Sequence, residues 1–141
     1  MDVFSTVQRL REIPALKNNV AGAASYGAAI ATSFRVVPAA FVLPLAESPQ
    51  PSPFMDQLVQ QVVAQRVGVI LAVQNKRDGT GGAANQDLAA VRKAVRDQLL
   101  GWAPSDESAG YEFAGGAMLD LDDQVLFWQD DFATQTTIRS Q

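Results

Sequence analysis

Gly115-Gly116-Ala117-Met118-Leu119-Asp120-Leu121-Asp122-Asp123-Gln124-Val125-Leu126-Phe127-Trp128-Gln129-Asp130-Asp131-Phe132-Ala133-Thr134 decides the fold. Two runs rich in apolar and aromatic residues flank Asp122-Asp123-Gln124, which predicts two long strands closed by a short polar turn. Strict alternation puts Tyr111, Phe113, Ala117, Leu119 and Leu121 on one face of the first strand, and Glu112, Met118 and Asp120 on the other. In the second, Leu126, Trp128 and Phe132 share a face, with Val125, Phe127 and Ala133 opposite; Asp130 and Asp131 part to opposite sides. Large side chains on both faces, above all the Phe127-Trp128 pair, imply a strand covered by a layer or a neighbour on each side.

Upstream, Val3, Phe4, Val7 and Leu10 recur at helical spacing, with Asp2 as cap and Pro14 as stop. Their apolar stripe is expected to cover one side of the sheet. Ala21 to Ala31 is mostly Ala and Gly, either a loose helical turn or a tight-packing loop. Ser33 to Leu45 reads as a strand, at an edge or bent at Pro38 because proline cannot donate to a ladder. Glu47-Ser48-Pro49-Gln50-Pro51-Ser52-Pro53 alternates proline with polar residues. With Phe54, Met55 and Asp56 it predicts a projecting loop over about 47–56, favouring extended, solvated backbone.

Leu58 to Asn75 is the other long strand, with Val67, Val69, Leu71 and Val73 on one face and Arg66, Gly68, Ile70, Ala72 and Gln74 on the other. From Asn85 or Gln86 to Leu100 a helix is expected. Leu88, Val91, Val95 and Leu99 form its buried stripe, Arg92, Lys93, Arg96 and Asp97 lie outside it, and Gly101 ends it. Trp102 is placed at the end of the core. Together these elements predict one α+β domain over 1–141: a largely antiparallel or mixed sheet of about four long strands packed with helices.

The 141 residues are 48% hydrophobic and 18% charged, enough apolar surface to fold on. Cysteine and histidine are both absent. Their absence removes disulfides, thiolate and Ser-His-Asp nucleophilic chemistry, and zinc sites. Only carboxylate, lysine, tyrosine or magnesium chemistry is left open; with no catalytic apparatus visible in the sequence, no enzyme activity, metal or cofactor is expected. Val36 to Ala46 contains two prolines and falls short of the roughly 20 residues a membrane helix needs. A soluble chain that starts in the cytoplasm is expected. Net charge is −4 but unevenly spread. From Ala103 onward eight acids face one base, Arg139, whereas the first 102 residues carry ten bases and seven acids. An acidic hairpin does not grasp nucleic acid.

Two constellations invite a chemical reading. Gly79, Gly81 and Gly82 lie between a strand and a helix, but no Gly-Lys-Ser/Thr closes the loop and the spacing is not the dinucleotide fingerprint. The carboxylates Asp120, Asp122, Asp123, Asp130 and Asp131 do not follow the order of a calcium loop, and the turn alone explains Asp122 and Asp123.

As a whole the chain resembles the tail terminator, or tail-completion, proteins of long-tailed bacteriophages, particularly the short versions of Mu-like siphophages. The resemblance rests on the Val3 to Leu10 helix, Pro38-Ala39-Ala40-Phe41-Val42-Leu43-Pro44-Leu45, Gln65-Arg66-Val67-Gly68-Val69-Ile70-Leu71, and Leu119 to Asp123 through Trp128-Gln129-Asp130-Asp131-Phe132. It implies a homohexameric ring that caps the head-proximal end of the tail tube, stops its growth and presents a surface for the head-side connector. The partners implied are other copies of the chain, the tail tube protein and the connector, with DNA only passing through the lumen, no membrane, and a place in the virion after assembly in the host cytoplasm. Lys76, Arg77, Arg92, Lys93 and Arg96 on one side, and Asp120, Asp122, Asp123, Asp130 and Asp131 on the other, are candidate complementary patches between subunits. Gln50, Phe54 and Met55 are candidates for tube contact. The alternatives are another connector or tube-like subunit and, from a different class, a small-ligand or nucleotide-binding module using Gly79 to Gly82.

Overall fold

A computed structural model of the chain describes residues 2–16, 18–24, 27, 38–54, 57–74, 82–121 and 125–140, with 82–85 as backbone only. Its elements are helix α1 (Phe4–Arg11), a 3₁₀ turn (Pro14–Leu16), strands β1 (Val20–Gly22), β2 (Ala39–Pro49) and β3 (Gln60–Gln74), helix α2 (Gly82–Leu99), and strands β4 (Glu112–Leu121) and β5 (Val125–Arg139). The strands form one sheet in the order β1-β2-β3-β5-β4. All neighbours are antiparallel except β1, which runs parallel to β2 through Val20↔Ala40 to Gly22↔Val42. The class is α+β as expected, with five strands instead of four. The fifth, β1, lies at the start of the Ala/Gly stretch read as a turn or loop; three residues are too few to show a period.

The spine is the β3–β5 ladder, unbroken from Gln60↔Arg139 to Gln74↔Val125. Alternation in β3 gives the faces the sequence predicts. Val67, Val69, Leu71 and Val73 pack with Leu88, Val91, Val95 and Leu99 of α2 and with Val7 and Leu10 of α1. Ile70 and Ala72 join Phe41, Leu43, Val125 and Phe127 on the other side. At this end the sheet is buried on both faces, which accounts for the Phe127-Trp128 pair. Burying a side chain such as Leu71, with no exposed surface, contributes about 1.5–3 kcal/mol.

Helix α2 starts at Gly82, earlier than expected, and stops at Leu99. Gly101 takes a positive φ of 77°, where a side chain would be strained, while the Trp102 amide donates to the Leu99 carbonyl at 3.0 Å. In α1 the Asp2 carboxylate accepts from the Phe4 amide at 2.8 Å. Phe4 itself departs from its expected buried place and is 63% exposed. It lies past the margin of the stripe made by Val3, Val7 and Leu10, whereas Thr6 falls on the margin facing the sheet. Buried Thr6 shares a 2.8 Å hydrogen bond with the Tyr111 hydroxyl.

Two boundaries shift. Within the expected strand Ser33–Leu45 the described residues begin at Pro38; β2 itself starts at Ala39 and continues through Glu47, Ser48 and Pro49, paired with Val63 to Gln65. These three residues are thus strand, not projecting loop. Proline is tolerated there because β1 has ended and one side of β2 is open. Strand β4 breaks strict alternation at two bulges, between Phe113 and Gly115 and between Met118 and Asp120. Each bulge turns the side chains beyond it to the opposite face. Met118 therefore lies opposite Trp128 and Leu121 opposite Leu126, on the helix side with Phe113, while Ala117 joins Glu112 and Asp120 on the far side. The sequence grouping of Ala117 with Phe113 and Leu121, and of Met118 with Asp120, is corrected accordingly.

Candidate functional site

Alternation along β5 points Asp130 toward the helix layer and Asp131 away from it. Asp130 has no exposed surface. Its carboxylate accepts from Arg92 Nε at 3.0 Å, from an Arg92 terminal nitrogen at 3.0 Å, and from Trp128 Nε1 at 2.8 Å. The guanidinium lies over the Trp128 ring, 4.5 Å from its centre, adding cation–π attraction to the ion pair. Gly116 sits across from Asp130. A Cβ there would collide with the Asp130 carboxylate and crowd the Trp128 indole nitrogen at 2.9 Å. Glycine is what lets β4 close over the pair. Removing one partner would strand a buried charge, which costs about 3–5 kcal/mol.

Arg92 and Asp130, read from sequence as opposite halves of a contact between subunits, are thus paired within one chain. Asp131 is also held internally. It accepts from Arg66 at 3.2 Å and from Gln129 Nε2 at 2.7 Å, and Arg66 further donates to the Ala114 carbonyl at 3.1 Å. With Arg66 47% and Asp131 21% exposed, this pair is worth about 1 kcal/mol or less. Lys93 pairs with Asp97 one turn on, at 2.6 Å and in the open.

Arg96 and Asp120 differ from these. Neither has an ion-pair partner among the described residues. The Asp120 carboxylate only accepts from the Leu121 amide at 2.8 Å. Lys76, Arg77, Asp122, Asp123 and Met55 lie outside the described residues, as do Gly79 and Gly81. Gln50 is exposed at the end of β2, its amide donating to the Val62 carbonyl at 2.9 Å. Phe54 is 45% exposed. Leu58, Val59 and Ile138 are exposed at the same end of the sheet, where Val59 and Ser140 exchange hydrogen bonds.

Sequence reasoning missed the apolar residues that β4 leaves open. Phe113, Met118 and Leu121, 41%, 54% and 51% exposed, share the helix-side face, and Leu100 lies beside Tyr111 at the end of α2. The bulges hid this grouping. Behind it is an aromatic cluster: Tyr111 meets Trp102 at 6.1 Å and Phe132 at 6.2 Å, and Phe113 meets Phe132 edge-on at 5.8 Å. Burial pushes the Tyr111 hydroxyl above the usual tyrosine range, against a smaller lowering by its bond to Thr6.

Among the described residues no three acidic side chains gather where they would hold a metal ion. An open hollow of about 720 Å³ beside α1 includes Arg9, Arg11 and Trp102, but Arg9 donates to the Gln98 carbonyl and Arg11 to the Val20 carbonyl, each at 3.0 Å. No described helix is long and apolar enough to cross a membrane.

Among solved structures, the fold is similar to a chain from the "Virion of native gene transfer agent (GTA) particle", with a TM-score of 0.60 at 14% identity, covering 93% of this chain and 90% of that one. No curated protein matches the chain. The family model described as "Phage tail terminator protein" matches residues 1–141. With that match over its whole length, the chain belongs to the phage tail terminator family.

Proposed function

We propose that this chain forms a ring, six copies by the resemblance, that caps the head-proximal end of a phage tail tube, ends its growth and offers the head-side connector a docking surface. The match to the tail terminator family across residues 1–141 carries the reading. Its place is the virion, at the junction of head and tail, after assembly in the host cytoplasm. The role asks for contacts with other proteins, not catalysis, and the exposed apolar side chains on β4 and around Phe54 suit that demand.

The end of the sheet around Gln50 and Phe54 is the proposed contact with the tube. Replacing 51–58 by a short Gly-Ser turn should leave rings intact and abolish capping; normal capping would refute the assignment. The whole reading is tested by complementation. A phage lacking the gene should make tails of uncontrolled length that join no heads, and this chain supplied in trans should restore uniform, head-bearing tails. Headless or stacked tubes containing this chain along their length would favour a tube-like subunit instead.

A further inference from the structure

Resting on the ring reading above, we propose that the face between α2 and β4 receives a second copy of this chain, which docks through the far side of its own β4 and pairs Asp120 with Arg96. The placement of Arg96 follows from its neighbours on the helix. Arg92, Arg96 and Leu100 stand one turn apart in a single row. Arg92 reaches Asp130 opposite Gly116, and Leu100 lies beside Tyr111. Arg96 therefore sits between these points, alongside the Phe113 segment of β4. The face so defined holds an apolar band of Leu100, Phe113, Met118 and Leu121, with a cation on its flank.

Charge identifies the occupant. Every other described cation on that side of α2 already has an acid: Arg92 holds Asp130 and Lys93 holds Asp97. Arg96 has none among the described residues, and on the far side of β4 the exposed carboxylates of Glu112 and Asp120 likewise have no cation. One chain thus carries both halves of a complementary contact on opposite sides of one strand. Such an arrangement cannot be satisfied by a two-fold pairing of like faces; it is satisfied head to tail, each copy presenting one face forward and the other back. The far side also offers Gly115 and Ala117, small enough for a neighbouring face to approach closely.

Strand addition along the β4 edge is a poorer solution. The two bulges and the positive φ of 123° at Gly115 interrupt the row of backbone groups that an added strand would need. Contact across the face avoids this. A contact with one desolvated ion pair and an apolar band should weaken as salt rises, yet persist in part.

The test is a charge exchange in the full chain, followed by size-exclusion light scattering, with melting curves to confirm that each variant folds. Arg96→Glu and Asp120→Arg should each raise the concentration needed for assembly by about tenfold or more, and the double variant Arg96→Glu/Asp120→Arg should recover most of the loss. Leu121→Ser, uncharged and on the open face, should weaken assembly without lowering the melting temperature. If Arg96→Glu disrupts assembly while Asp120→Arg does not, or the double variant is no better than the singles, another occupant fills the face and the inference is overturned. Folded single variants that assemble and cap tails as the unchanged chain does would overturn this interface and leave the capping role standing. An unchanged chain that stays monomeric and restores no tails would remove both.

Discussion

The two ends of the β3–β5 ladder use the same hydrogen bonding to opposite purpose. From Val67 to Val73 the sheet is buried on both faces: α1 and α2 pack on one, and on the other the strand side chains Phe41, Ile70 and Phe127 are buried together. From Gln60 to Arg66 the ladder continues unbroken, yet Ala64, Arg66, Gln135, Ile138 and Arg139 are exposed or half-buried. The backbone cannot explain the difference, since the register is identical in kind. Side-chain burial does: one end is stabilised by it, and the other, with the β4 wing, turns most of its side chains outward although Val63 and Thr134 stay buried. Buried and exposed side chains are thereby separated along one pair of strands.

Emptying the buried end should have the largest effect. Phe132→Ala should cost about 3–5 kcal/mol, because the ring has no exposed surface and two aromatic neighbours that cannot collapse into the space. Urea denaturation would measure it; a loss under about 1 kcal/mol would mean that the core tolerates the cavity. Ile138→Ala at the exposed end should change stability by no more than about 0.5 kcal/mol.

The same contrast between interior and surface holds for two adjacent aspartates. Asp130→Ala leaves Arg92 beside Trp128 without its counter-ion and should cost about 3 kcal/mol, at the lower end because Arg92 is 24% exposed. Asp131→Ala releases a solvent-facing Arg66 and should cost about 1 kcal/mol or less. Equal losses in denaturant titrations would contradict the assignment of one pair to the interior and the other to the surface.

A smaller effect concerns Tyr111. Its folded pKa is raised by burial, so its contribution to stability is complete below the ordinary tyrosine value of about 10 and is lost as pH rises toward and through the folded value. Tyr111→Phe should cost about 1 kcal/mol at neutral pH, through the bond to Thr6, while abolishing that part of the alkaline loss. An unchanged alkaline profile in the variant would assign the loss to other groups.

These contrasts also show what the chain made legible. Val67 to Val73 and Leu88 to Leu99 were readable because alternation and the helical stripe each persist long enough to exclude the other period. The hairpin was readable from Asp122-Asp123-Gln124, with β4 ending at Leu121 and β5 starting at Val125. Its register was not. Counting outward from the turn with no bulge sets Gly116 against Asp131; the bulge between Met118 and Asp120 shifts it by one, onto Asp130. The Arg92–Asp130 pair was hidden for the same reason, since its partners are distant in sequence and only the shifted register shows that Gly116 makes room for them. Opposite charges in the sequence suggested meetings between copies, and two of those charges had already met within one.

Electron microscopy of tail lengths in a phage lacking the gene, with and without the chain supplied in trans, shows whether this chain ends the tail tube. A narrow length distribution restored by the chain, with the chain found only at the head-proximal tip, is the predicted result; lengths that stay broad when folded protein is present would contradict it.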